Sequence, residues 1–222
     1  MIYIVKTQKE LFVLEVLLMN KNIIEKLKEI KFLPVATVSS ISEICLYAEK
    51  LRENNINIIE ICYRNDLATN AIKKIKELYP DMLVAAGTVR NVEQVISAIS
   101  NGADFIVTPG INELVLQYCN DNDIMIIPGC MTPSEFEIAA DYGLNLVKLF
   151  PAEFIGGVNY IKAVRSPYSN LTFIPTGGVN MTNIKDYLEL DCVIACGSSV
   201  IFKGDINDAS SRISRIKSLI TN

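Results

Sequence analysis

The strongest constraint on this chain is a rhythm. From Phe32 onward, short β-rich apolar runs alternate with helical segments at a repeat of about 23 residues. Strands are expected near 33–38, 57–62, 82–87, 104–108, 124–128, 145–150, 172–176 and 192–196, and helices near 41–54, 67–79, 91–101, 112–122, 132–142, 156–165, 180–188 and 206–220. Helix-start residues fall where the pattern needs them: Ser40, Asn91 and Thr132-Pro133. Gly102 and Gly143 stand where helices should stop. Eight strands, each followed by a helix, predict an α/β protein built as one (β/α)8 TIM barrel, with an open doubly wound sheet as the rival. No Gly-x-Gly-x-x-Gly follows the first strand, which weakens the rival.

Ahead of the repeat, Asn20 to Lys31 reads as an extra N-terminal amphipathic helix with Ile23, Ile24, Leu27 and Ile30 on one face. Residues 1–18 read as an extension, and 19–222 as a single domain with Met19 as an alternative start. Glu10 and Glu15 interrupt the apolar stretch around them, and no small-residue cleavage site follows, so it does not read as a signal peptide.

Composition narrows the chemistry. The chain has no histidine, which excludes His-Glu-x-x-His zinc sites and imidazole triads. Acid–base work therefore falls to carboxylates, lysine, tyrosine, cysteine or water. A net charge of -4 gives no footprint for nucleic acid. No apolar run reaches membrane-spanning length. The six cysteines form no Cys-x-x-Cys pair and read as reduced thiols of a cytoplasmic protein, most of them in the core.

Against that background two charges stand out. Lys148 lies inside the apolar run Leu144 to Phe150, and Glu60 inside Ile58 to Cys62. Alternation puts Leu146, Lys148 and Phe150 on one face, and Ile58, Glu60 and Cys62 on another. A buried lysine is costly unless paired or neutral, and a neutral amine attacks carbonyls. A lysine snorkelling from a strand end is the plainer reading, and a structural Glu60–Lys148 ion pair the plainer reading of both. In barrels, catalytic groups gather at the carboxyl ends of strands, and phosphate binds after strands seven and eight. Thr176-Gly177-Gly178-Val179 and Gly197-Ser198-Ser199 occupy those positions, either as a phosphate cradle or as ordinary turns. Arg64 and Thr88 add a cation and a hydroxyl at the same end; a surface arginine and a strand-end cap are their alternatives.

From about Asn20 to Phe202 the chain resembles the class I aldolases that cleave 2-keto-3-deoxy-6-phosphogluconate and often 4-hydroxy-2-oxoglutarate. The resemblance is carried, in order, by Leu33-Pro34-Val35, Glu60-Ile61-Cys62-Tyr63-Arg64, Ala86-Gly87-Thr88-Val89, Thr108-Pro109-Gly110, Ile127-Pro128-Gly129, Lys148-Leu149-Phe150-Pro151-Ala152-Glu153 and Pro175-Thr176-Gly177-Gly178-Val179. It implies a (β/α)8 barrel, Lys148 as the Schiff-base lysine and Glu60 as the general acid–base. It implies Arg64 and Thr88 on the pyruvate carboxylate, Pro109 and Phe150 lining the pocket, and Gly177, Gly178 and Ser198 on phosphate. It implies a small 2-keto acid phosphate as substrate, no cofactor or metal, and a homotrimer. Asn65 and Cys196-Gly197-Ser198-Ser199 depart from the usual threonine and Gly-Gly-Ser-Trp. The galactonate-series phosphate aldolases are a rival that Arg64 speaks against; a non-catalytic phosphosugar-binding module is another, which the intact Lys148 and Glu60 speak against.

Overall fold

The structure, a computed structural model, describes residues 8–221. Residues 1–7 of the expected extension lie outside the described residues. Helix α1 (Gln8–Ile30) precedes the repeat. The alternation then runs β1 (Phe32–Ala36), α2 (Ile41–Glu53), β2 (Ile58–Cys62), α3 (Leu67–Leu78), β3 (Leu83–Gly87), α4 (Val92–Ser100), β4 (Phe105–Val107), α5 (Glu113–Asp121), β5 (Ile126–Ile127), β6 (Gly129–Cys130), α6 (Pro133–Asp141), β7 (Leu146–Leu149), α7 (Gly157–Arg165), β8 (Thr172–Pro175), α8 (Ile184–Leu188), β9 (Cys196–Ser198) and α9 (Ala209–Ile220).

All strand pairs are parallel. One curled sheet of six has the order β5-β4-β3-β2-β1-β9, and three more strands pair as β6-β7-β8. Parallel strands covered by helices on their outer side need to be apolar throughout. The strands meet that demand: β1, β2 and β4 are buried at every position. Isolated bridges Phe173↔Val193 and Thr176↔Gly197 join the two sheets on one side.

Helix ends follow their chemistry. The Ser40 side chain accepts from Glu43 N–H at the start of α2, and Asn91 from Gln94 N–H at α4. Thr132 and Glu135 form a reciprocal capping box at α6, with Pro133 in its first turn. Each such cap contributes about 1 kcal/mol. Gly102 and Gly143 take φ of 96° and 71°, as a left-handed helix stop requires.

Four boundaries differ from the sequence reading. The expected strand 124–128 is two short segments parted by Pro128, which has no N–H to give a ladder. The expected strand 192–196 is displaced to Cys196–Ser198, because β1 supplies its partners in the register Phe32↔Cys196, Leu33↔Gly197, Pro34↔Ser198. Helix α8 starts only at Ile184, since Asn180 N–H is held by Asn183 Oδ1, and Thr182 N–H by Asn180 Oδ1, in a turn. Helix α1 begins at Gln8 rather than Asn20. Its C-terminal half buries Ile23, Leu27 and Ile30 as expected, while Leu17 and Leu18 are 60% and 58% exposed.

Among the described residues, no helix is long and apolar enough to cross a membrane. No group of three or more His, Cys, Asp or Glu side chains stands close enough to hold a metal ion.

Candidate active site

Glu60 sits mid-strand in β2, in register with Val35 of β1 and Ala85 of β3. Lys148 sits in β7, in register with Gly129 of β6 and Ile174 of β8. Although they come from different sheets, their side chains meet: Lys148 Nζ donates to Glu60 Oε1 at 3.2 Å. Glu60 is 0% and Lys148 4% exposed, with Leu33, Val107, Ile127 and Ile174 around them. Lys148 Nζ also lies 5.5 Å from the centre of the Phe150 ring, as their shared face requires. A pair buried this deeply is weak as a stabilising device, because desolvation offsets attraction. The second carboxylate oxygen, Oε2, is buried and among the described residues has no hydrogen-bond partner. A buried carboxylate oxygen without a partner is costly, by more than about 1 kcal/mol.

The other expected residues are distributed around this pair. Arg64, on the loop after β2, is exposed and donates to Thr37 Oγ1 at 2.9 Å, so its guanidinium lies over the end of β1. Thr88 follows β3 with φ of 58°, a left-handed conformation that is an outlier for a β-branched residue and stores strain where it stands. The Pro109 backbone lies against Gly129, the register neighbour of Lys148; a Cβ on that glycine would come 2.4 Å from it.

Gly177 and Gly178 both have positive φ, 93° and 88°. A Cβ on Gly177 would press on the Phe150 ring at 3.1 Å, and one on Gly178 would lie 2.4 Å from Glu153 Cβ. The Gly177 carbonyl accepts from Glu153 N–H at 3.0 Å, so the loop after β7 braces the loop after β8. Glu153 in turn accepts from the Tyr187 hydroxyl, and burial together with that carboxylate raises the Tyr187 pKa. Among the described residues, the N–H groups of Gly177 and Gly178 have no acceptor. Ser198 is buried and its hydroxyl donates to Val179 O at 2.5 Å. It therefore stands beside the double-glycine turn with its proton already engaged.

Three features escaped the sequence reading. Cys62 belongs to the Glu60 face by alternation, but its thiol contacts Glu60 Oε1 at 3.6 Å rather than filling core space. Gly87 provides the room for that carboxylate: a Cβ there would lie 2.2 Å from Glu60 Oε1. Asn65 has a local task, accepting from Leu67 N–H at the start of α3 while donating to Val38 O at 2.8 Å.

A buried lysine–carboxylate pair, with Gly177 against the same Phe150 ring, is an arrangement that a Schiff-base aldolase could use, and comparison with known proteins supplies the family. The family profile for KDPG and KHG aldolases matches residues 23–217. The chain belongs to this family. The 2-dehydro-3-deoxy-phosphogluconate aldolase of Haemophilus influenzae is 44% identical over 180 residues, covering 81% of this chain and 85% of that protein. Among solved structures, the 2-keto-3-deoxy-6-phosphogluconate aldolase of Zymomonas mobilis with 3-phosphoglycerate has a TM-score of 0.83 at 28% identity, covering 88% and 95% of the two chains. The KDPG aldolase of Legionella pneumophila, with pyruvate captured as a covalent carbinolamine, has a TM-score of 0.80 at 29% identity, covering 88% and 94%.

Proposed function

We infer that the protein is a class I, metal-independent aldolase that cleaves 2-keto-3-deoxy-6-phosphogluconate to pyruvate and glyceraldehyde 3-phosphate. The observation that carries this is the buried Lys148–Glu60 pair with Glu60 Oε2 unpartnered. The family match supports the substrate class.

The amine form of Lys148 attacks the C2 ketone, and loss of water leaves an iminium ion. That cation draws electrons from the C3–C4 bond. Glu60 takes the C4 hydroxyl proton, and the aldehyde departs. The enamine is reprotonated at C3, and hydrolysis frees pyruvate and the lysine. In this reading Arg64 and Thr88 hold the pyruvate carboxylate, with Pro109 and Phe150 along the pocket wall. Gly177, Gly178 and Ser198 hold the distal phosphate. Without that phosphate, 4-hydroxy-2-oxoglutarate fits the same machinery and would yield pyruvate and glyoxylate.

We read the two sheets as one closed (β/α)8 barrel. The Thr176↔Gly197 bridge and the interruption of β5 and β6 by Pro128 alone support closure. We also propose a homotrimer, on the family resemblance, a cytoplasmic location, on six unpaired cysteines, and residues 1–18 as an addition to a domain that spans 19–222.

Turnover tests the reading. Purified protein with 2-keto-3-deoxy-6-phosphogluconate and a lactate dehydrogenase couple should consume NADH at a rate proportional to enzyme. No pyruvate from this substrate or from 4-hydroxy-2-oxoglutarate would refute it.

A further inference from the structure

We propose that Cys62 is a positioning residue for Glu60: its S–H donates to Oε1 and leaves Oε2 as the atom that exchanges protons with the substrate. The proposal rests on the roles given above to Lys148 and Glu60.

Four observations converge on it. Glu60 and Cys62 are two residues apart in β2 and point to the same side, with Cys62 Sγ 3.6 Å from Oε1. Oε1 also receives Lys148 Nζ at 3.2 Å, so both neighbouring donors sit on one carboxylate oxygen. The bare Cα of Gly87, whose register partner is Cys62, lets the carboxylate come close to β3, where a Cβ would lie 2.2 Å from Oε1. Oε2 is buried and, among the described residues, unpartnered.

The chemistry makes the thiol necessary at one particular moment. Before reaction Lys148 holds Oε1. Once its nitrogen becomes the iminium, that nitrogen is bonded to substrate carbon and follows the substrate. The iminium nitrogen keeps a single N–H in place of three, so Glu60 has fewer donors around it just when it must move a proton. Cys62 is fixed to the same strand and remains a donor throughout the cycle. Burial, and then the Glu60 charge, push the Cys62 thiol up to about 11, so the proton it donates is present at neutral pH. The Thr88 hydroxyl, Lys148 and Arg64 act in the opposite direction and do not overcome this. The thiol is a weak donor, which suits an acceptor that must alternate between carboxylate and carboxylic acid.

Pyruvate alone isolates the step. Its ketone condenses with Lys148, releasing water; Glu60 then removes a methyl proton to give the enamine and returns a deuteron from D2O. Methyl exchange, followed by NMR, reads proton transfer. Borohydride trapping reads imine formation separately. The comparison is wild type against Cys62→Val, which removes the donor at similar volume, and Cys62→Ser, which restores one; Cys62→Ala replaces the valine variant if that fails to fold. We expect all variants to trap pyruvate as the wild type does. Exchange and kcat should fall at least about tenfold in the variant without a donor, a modest share of what general acid–base catalysis supplies, with KM little changed. Cys62→Ser should recover most of the loss. Wild-type exchange in Cys62→Val, or equal losses in the valine and serine variants, would overturn the proposal. Loss confined to KM would assign Cys62 to Thr88 and the substrate carboxylate instead, and would equally overturn it. A wild type that traps no pyruvate would refute the role given to Lys148, and this proposal with it.

Discussion

Ser198 is the residue at which geometry changes what a substitution should do. Its hydroxyl proton goes to Val179 O, so in the proposed reading phosphate must either rotate it or rely on the neighbouring N–H groups. Charge-assisted bonds of this kind contribute about 1.5–3 kcal/mol each. Ser198→Ala should therefore lower kcat/KM for 2-keto-3-deoxy-6-phosphogluconate by about tenfold to a hundredfold, and hardly touch 4-hydroxy-2-oxoglutarate. Equal losses on both, in steady-state assays, would mean the hydroxyl shapes the loop through Val179 rather than binding phosphate. Buried thiols make a second residue-scale prediction. Burial raises Cys62 to about 11 and Cys119 and Cys130 to about 12, from 9.0. The unfolded thiols ionise first as pH rises, so the native state then holds more protons and stability falls with pH. Their contribution is intact below pH 9 and is lost as pH climbs towards 12. Thermal melts should show Tm declining across that window; a flat Tm between pH 8.5 and about 10.5 would contradict the burial of these thiols.

Helix α1 poses the question at the scale of the element. Its C-terminal half is anchored by Ile23 and Leu27, both 0% exposed, whereas Leu14, Leu17, Leu18 and Met19 are open to solvent. A chain beginning at Met19 should keep its fold and its kcat, as judged by circular dichroism and the coupled assay. Loss of either would show that the fold needs the first turns of α1. The same helix shows what was legible beforehand. Its buried face was readable from the spacing of Ile23, Ile24, Leu27 and Ile30, because that spacing is itself the burial pattern. Its start was not, because Leu11 to Met19 are apolar at every position but Glu15 and so show no one-sided helical period. Caps were readable at Ser40, Asn91 and Thr132, since a cap is a local bond. The register of β9 was not, since it is set by Phe32, Leu33 and Pro34, far away in sequence. Lys148 and Glu60 announced themselves as charges in apolar strands. Cys62 did not, because a buried cysteine looks the same in sequence whether it fills space or donates to a carboxylate.

For the whole molecule, the parallel strands bring two side chains 88 residues apart to a single ion pair. Parallel pairing with intervening helices holds each strand end at one rim, which is where the loops after β7, β8 and β9 meet. A trimer is proposed at this scale. Light scattering at micromolar concentration should return three times the chain mass of 24.7 kDa, and a monomer mass would overturn it. The central claim is covalent: Lys148, of all the lysines in the chain, joins pyruvate. Incubation with pyruvate, reduction by borohydride and peptide mass mapping should find one adduct, on Lys148, absent from Lys148→Ala, which should also lose nearly all cleavage. An adduct on another lysine, with Lys148 unmodified, would contradict the account.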